Sequence, residues 1–384
     1  MQIVIFPLLL SVLIFPVKQS PADLSSVLKP ILAAHTLPAL AGCIVTADKI
    51  VAIGAVGVRK YGTDTPVSIN DQFHLGSDTK AMTAFLIGKL VERKELKWTS
   101  TLAQSLPVLR DIMLPVYRNV TIEELLAHRS GFSGDSIPPG QTFLSLHSLS
   151  GSPMEQRIAY AKMILAEPPI NTPGKQYIYS NRNYALLGII AEQLTHTPWE
   201  KLITKWLFKP LGMKTAGFGA MGQPGKILEP WQHVMGTDGK PIPIEPGPLS
   251  DNPEVIGPAG TVHCSIGDWA KFIMLNLRGE AGKDDHLKAA TIQRLHRPLL
   301  GGDYASGWLV TRRPWGGGTV LTHAGSNNQN YCVAWIAPKR GFAVLVATNI
   351  GGEDAAKACD DTDAALINYY LMSIDHKKST IGRK

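Results

Sequence analysis

The chain has 384 residues, is 45% apolar and carries a formal net charge of +7. That length and apolar content suffice for a large buried core, and without repeats or long low-complexity tracts they exclude a solenoid and a disordered protein. Part of the charge is a C-terminal tail, Lys377, Lys378, Arg383 and Lys384, and no aromatics interleave with basic residues as they would on a nucleic-acid surface. What remains is at most an attraction to anionic cell-envelope polymers.

In chain order, residues 3–17 are almost entirely apolar, but Pro7 and Pro16 interrupt the run and it is short for a membrane span. With Ser20-Pro21-Ala22 as a small-residue cleavage region, residues 1–22 read as a signal peptide, although no lysine or arginine precedes the apolar run. The mature protein is then exported, periplasmic or secreted, with no integral span. Residues 42–60 read as a hairpin, with strands around Cys43-Ile44-Val45 and Ile50-Val51-Ala52-Ile53 joined by Asp48-Lys49. Helix starts are marked by Thr121 with Glu124, by Thr197 with Pro198 and Glu200, and by Ser265 with Asp268, each offering a capping oxygen before an apolar run. Two long Gly/Pro-rich connections, about 133–158 and 222–260, read as cleft-rimming loops. Three strands follow, Thr319 to His323, Tyr331 to Ile336 and Phe342 to Thr348, then a helix from about Asp354 to Leu371 and a basic tail over 373–384.

Strands at both ends of the chain most simply share one sheet. The predicted fold is therefore an α+β sandwich: an antiparallel sheet of five or more strands flanked by helices, with a mostly helical lobe inserted. The sheet lobe covers about 23–75 and 261–372, and the helical lobe about 76–260. Four cysteines, Cys43, Cys264, Cys332 and Cys359, are too few for a disulfide scaffold and read as small buried residues, one exported disulfide remaining open.

The chemistry begins at Ser77-Asp78-Thr79-Lys80. Downstream, Met82, Phe85, Leu86, Leu90 and Val91 recur at helical spacing, so Ser77 opens a helix and Lys80 lies one turn later on the same face. A serine hydroxyl is a poor nucleophile until a neighbour takes its proton, and a lysine in a dry cleft can do so. Tyr179-Ser180-Asn181 ends a turn-rich approach to a helix carrying Tyr184, Leu187, Ala191 and Leu194, and His323-Ala324-Gly325 ends a strand. Each short pattern also occurs elsewhere, as Ser26-Val27-Leu28-Lys29, Tyr117-Arg118-Asn119 and His74-Leu75-Gly76, so order and context decide among them.

Ser-x-x-Lys on a helix start, Tyr-x-Asn on a loop and His-x-Gly on a strand, about 100 and then about 145 residues apart, resemble the serine β-lactamase and penicillin-binding-protein superfamily. The resemblance is to its class C-like branch of β-lactamases, D-alanyl-D-alanine carboxypeptidases, D-aminopeptidases and family VIII esterases, and it runs from about residue 24 to about 372. Leu125-Leu126-Ala127-His128-Arg129-Ser130-Gly131, Pro210-Leu211-Gly212-Met213, Pro258-Ala259-Gly260-Thr261 and Gly307-Trp308 add to it. The resemblance implies that Ser77 is acylated, that Lys80 is its proton acceptor or electrostatic activator, with either Lys80 or Tyr179 as the general base, and that Tyr179 shuttles a proton to the leaving group and later helps activate the hydrolytic water. It further implies that Asn181 orients Lys80 or the substrate, that His323 and Gly325 bind substrate from an edge strand, and that the N–H groups of Ser77 and Ser326 form an oxyanion hole. His128 and Ser130 read as structural.

His323 stands where many members of the superfamily carry a lysine that anchors the substrate carboxylate. Histidine is only partly charged near neutral pH, so weak β-lactam turnover and an ester or amide substrate, small or peptidic, are expected. Cell-wall fragments are possible partners, and a non-catalytic penicillin- or peptidoglycan-binding scaffold is the alternative. No Gly-x-Ser-x-Gly, His-Glu-x-x-His, paired Cys-x-x-Cys, Gly-x-Gly-x-x-Gly or Walker loop occurs, and neither metal nor cofactor is expected.

Overall fold

The computed structural model describes residues 20–381. Most of the expected signal peptide, residues 1–19, and the tail residues Arg383 and Lys384 lie outside the described residues.

Among the described residues, thirteen strands form three sheets. The large one contains β1 (Ala22–Asp23), β2 (Ala39–Thr46), β3 (Ile50–Gly57), β9 (Tyr304–Ala305), β10 (Trp308–Arg313), β11 (Gly318–Ser326), β12 (Tyr331–Ala337) and β13 (Phe342–Thr348). Its order is β1-β3-β2-β13-β12-β11-β10-β9, so strands from the two chain ends do share one sheet. All pairings are antiparallel except that of β1 with β3. A three-stranded sheet joins β4 (Gln72–His74), β5 (Gly217–Phe218) and β8 (Val262–Ser265), and β6 (Gln232–Met235) pairs with β7 (Pro241–Ile244).

Side-chain alternation explains the layers. Leu40, Ile44, Val344 and Val346 face a core with Leu28 and Leu366, from the helices Ser25–Ala34 and Glu353–Ile381. Ala41, Cys43, Val45 and Leu345 face the opposite core, with Phe272 and Ile273 of the helix Ile266–Glu280. The central strand β13 is buried at every position, and each Val or Leu there contributes about 1.5–3 kcal/mol relative to exposure. The second core continues around the helix Thr79–Glu92, buried on nearly every face among helices from the middle of the chain.

Four expectations change. β11 is not an edge strand: β10 and β9 lie beyond it, two short elements whose pattern is broken by Ser306 and Gly307. The C-terminal helix continues to Ile381 because neither Gly nor Pro interrupts residues 353–381, so much of the expected basic tail is helical. Thr197 is not a cap; its hydroxyl donates to the Thr195 carbonyl at 3.0 Å and Pro198 occupies the cap position. The connection over 222–260 carries β6 and β7 as well as irregular chain. By contrast, Thr121 and Glu124 form a reciprocal capping box and Ser265 accepts from the Asp268 N–H. All four cysteines are buried and unpaired.

Candidate active site

A tight turn positions Ser77. Residues Gly76–Asp78 form a 3-10 turn into the helix Thr79–Glu92. Gly76 has φ +46°, and a Cβ there would lie 2.3 Å from the Ser326 nitrogen. On β11, a Cβ at Gly325 would meet the Leu75 carbonyl oxygen at 1.9 Å. The turn and the strand therefore touch backbone to backbone, which brings the Ser77 segment beside Ser326. His74 secures the turn: its Nδ1 accepts from the Gly76 N–H at 3.0 Å and its Nε2 meets Asp251 at 2.9 Å. Asp251 in turn accepts from Asn327 Nδ2 at 3.0 Å. The His74-Leu75-Gly76 repeat of the His-x-Gly pattern thus braces the site from behind.

Lys80 is fully buried, with Nζ donating to Ser77 Oγ at 3.0 Å, Asn181 Oδ1 at 2.7 Å and the Ala259 carbonyl at 2.9 Å. Burial pushes its pKa well below the usual lysine value. Asn181 is the first residue of the helix Asn181–Thr195, and its Nδ2 donates to Ser136 Oγ at 2.9 Å, which aims Oδ1 at Lys80. Lys80 Nζ also lies 4.7 Å from the Tyr179 ring centroid. Burial pushes the Tyr179 phenol up, and interaction with the Ser77 hydroxyl opposes it.

Tyr179 is packed between two histidines, His128 with ring centroids 4.5 Å apart and His323 at 6.3 Å. His128 Nδ1 accepts from the Ser180 N–H at 3.2 Å, and Ser130 Oγ donates to Asn183 Oδ1 at 2.5 Å, so both residues hold the Tyr179 loop against the following helix. His323 is 5% exposed, with Nε2 3.1 Å from the Tyr304 hydroxyl. Burial, reinforced by the charge of Lys80, lowers its pKa to about 3. Both histidines are neutral near pH 7, since burial also lowers His128 well below its usual value.

Ser77, Lys80, Tyr179, Asn181, His323, Gly325 and Ser326 thus come from three separate segments to one place, where a hydroxyl, a buried amine and a phenol converge. The alternative matches do not. Ser26 and Lys29 lie on the helix Ser25–Ala34, on the other face of the sheet, and Tyr117 is buried in the helical core. Tyr304, Asp251, Asn327 and the Ala259 carbonyl were not legible as site residues, the last because a backbone acceptor carries no side-chain signal. Among the described residues no group of three or more His, Cys, Asp or Glu could hold a metal ion, and no helix is long and apolar enough to cross a membrane.

The beta-lactamase family model matches residues 24–368. The chain belongs to the beta-lactamase family. This family member is 28% identical over 313 residues to penicillin-binding protein 4 of Amycolatopsis lactamdurans, covering 77% of each chain. It is 27% identical over 236 residues to the unguisins hydrolase ungD of Aspergillus violaceofuscus, covering 59% of this chain but only 40% of that protein. Its fold matches the solved structure of EstCE1, a hydrolase with promiscuous acyltransferase activity, with a TM-score of 0.73 at 18% identity over 90% of this chain and 97% of that one. The chain is a beta-lactamase-related hydrolase with the α+β fold of that superfamily.

Proposed function

We propose that this hydrolase cleaves an ester or amide through an acyl-enzyme on Ser77. One observation carries the reading: a fully buried lysine amine stands 3.0 Å from the serine oxygen, its other contacts both acceptors. When Lys80 is neutral, its two N–H bonds go to Asn181 Oδ1 and the Ala259 carbonyl, neither of which can donate to it. The lone pair is then left for the Ser77 hydroxyl proton.

Ser77 Oγ attacks the substrate carbonyl carbon as its proton passes to Lys80. The N–H groups of Ser77 and Ser326 stabilise the oxyanion of the tetrahedral intermediate. Collapse breaks the bond to the alkoxide or amine, which Tyr179 protonates. Tyr179 regains its proton from Lys80, and the pair then activates water for deacylation, releasing the acid and free Ser77. Two neutral histidines beside Tyr179 leave no fixed cation to hold a substrate carboxylate, which favours uncharged esters or amides, small or peptidic, over β-lactams. Gly325 lets substrate approach the strand, and His323 shapes the floor beside Tyr179.

The apolar run over residues 3–17 and Ser20-Pro21-Ala22 support export to the periplasm or beyond. The division into a sheet lobe (23–75 and 261–372) and a helical lobe (76–260) is consistent with a seam at the Ser77 site.

The test is intact mass after a fluorophosphonate probe, for wild type and Ser77→Ala, with rates on nitrocefin and short p-nitrophenyl esters. One adduct lost in Ser77→Ala, and esters cleared faster than nitrocefin, are expected. No adduct on folded protein would overturn the reading in favour of a binding or scaffold role.

A further inference from the structure

A cavity of about 640 Å³ lies at the opposite end of β11 from Gly325 and Ser326. The register that builds it pairs Val310 with Leu321 and Arg312 with Thr319 across β10 and β11. Alternation puts all four side chains on the face that carries the helix Ile266–Glu280. That helix packs over β2 and β13 and ends at Glu280, in the cavity wall, so the sheet beneath β10 and β11 runs on past its cover. The floor is apolar, formed by Val310 and Leu321.

The rim is basic. Arg297, Arg312 and Lys339 are exposed around the opening, and among the described residues none of their side chains makes an ion pair or donates a hydrogen bond. The acid in the wall, Glu280, is already engaged by the buried His296, whose Nδ1 lies 2.6 Å from Glu280 Oε1 and whose Nε2 lies 2.9 Å from Asn276 Oδ1. Three cations thus face a hollow whose nearest carboxylate is taken. Like charges around a concavity repel one another and raise the local concentration of anions. The volume falls within the roughly 300–1,000 Å³ typical of small-molecule sites, which combine an apolar lining with a few placed polar groups.

We propose that this cavity is a second binding site, separate from the Ser77 site, for a small amphipathic anion. The apolar body rests on Val310 and Leu321, and its carboxylate, sulfonate or phosphate lies among Arg297, Arg312 and Lys339. The proposal does not depend on the chemistry assigned to Ser77.

The probe is 1-anilinonaphthalene-8-sulfonate, titrated by fluorescence into full-length protein whose Ser77 is blocked by fluorophosphonate or replaced in Ser77→Ala. Saturable binding of one equivalent is expected in both forms. The double variant Arg312→Glu with Lys339→Glu should weaken it about tenfold or more, since it reverses two of the three rim charges. These side chains are exposed, so an unchanged melting temperature establishes that the variant is folded, and Arg297→Glu alone provides a second, milder test. The uncharged analogue N-phenyl-1-naphthylamine should bind at least about tenfold more weakly than the anion. Unsaturable binding, equal affinity for the uncharged analogue, or affinity unaltered by charge reversal would overturn the proposal. So would co-sedimentation with phosphatidylglycerol vesicles that charge reversal abolishes, which would reassign the basic rim to lipid headgroups.

Discussion

The amine of Lys80 lies 2.7 Å from Asn181 Oδ1 although 101 residues separate them in the chain. The contact crosses from the helix that follows the Ser77 turn to the helix that follows Tyr179, so it fixes the relative position of three candidate catalytic groups. It also ties the charge state of Lys80 to a neutral amide. A carboxylate in place of that amide would favour the ammonium and raise the lysine pKa by about 1–3 units. Neutral Lys80 would then exist only at higher pH. Asn181→Asp should accordingly move the acid limb of the kcat/KM profile to higher pH by a similar amount, measured on a p-nitrophenyl ester. An acid limb that stays in place would remove Lys80 as the base.

The meeting of turn and strand predicts a different failure. A methyl group at Gly325 would overlap the Leu75 carbonyl, and backbone cannot rotate away as a side-chain end can. Gly325→Ala should cost about 1–3 kcal/mol of stability by overpacking. It should also lower acylation more than unfolding accounts for, because the Ser77 turn is pushed from Ser326. Urea unfolding midpoints and fluorophosphonate labelling rates on folded protein separate the two effects. A variant with wild-type values in both would refute the backbone contact.

These two positions also mark how far the sequence was legible. Ser77, Lys80 and Asn181 could be named because their spacing and helical context carry chemistry in a few letters. The sheet was legible because the short continuous apolar, β-branched runs at Cys43-Ile44-Val45 and Phe342 to Thr348 are a local signal of buried strands. The placement of β11 inside the sheet was not, since β9 and β10 are short and joined through Ser306 and Gly307, which reads as a turn. Nor was the support behind the site: His74, Asp251 and Asn327 meet across 177 and 76 residues, and no local pattern encodes such contacts. The state of His323 required its burial to be known. Sequence gives an ordinary histidine, half charged near neutrality, whereas the folded chain holds it neutral.

That neutrality has a consequence for β-lactams. With its pKa lowered to about 3, His323 stays uncharged from pH 5 to 8. Acidification in that range therefore adds no cation to receive a substrate carboxylate. Nitrocefin turnover should be weak and should not rise as the pH falls from 8 to 5, because neutral Lys80 is lost in the same direction. A histidine titrating at its ordinary value would instead enhance carboxylate binding below about pH 6.5 and lower KM there. KM for nitrocefin falling on acidification would contradict the buried, neutral state.

Asp78 tests the dryness of the same site from the side of stability. Its carboxyl is buried, with Oδ1 unpartnered and Oδ2 3.2 Å from Cys332 Sγ, and burial raises its pKa well above the ordinary carboxylate range against the pull of Lys80. The folded chain thus retains a proton that the unfolded chain releases at ordinary carboxylate pH. Stability from this group is intact below the unfolded pKa and declines as pH rises from there toward the folded value, by about 1.4 kcal/mol for each unit of difference. Asp78→Asn keeps the shape and removes the titration. Its stability relative to wild type should therefore increase from pH 4 to pH 7.5 in urea unfolding. A constant difference across that range would mean that Asp78 is ionised in both states. The charge on Lys80 gives an independent check: removing a neutral group leaves the acid limb of kcat/KM in place, whereas removing a carboxylate would move it to lower pH.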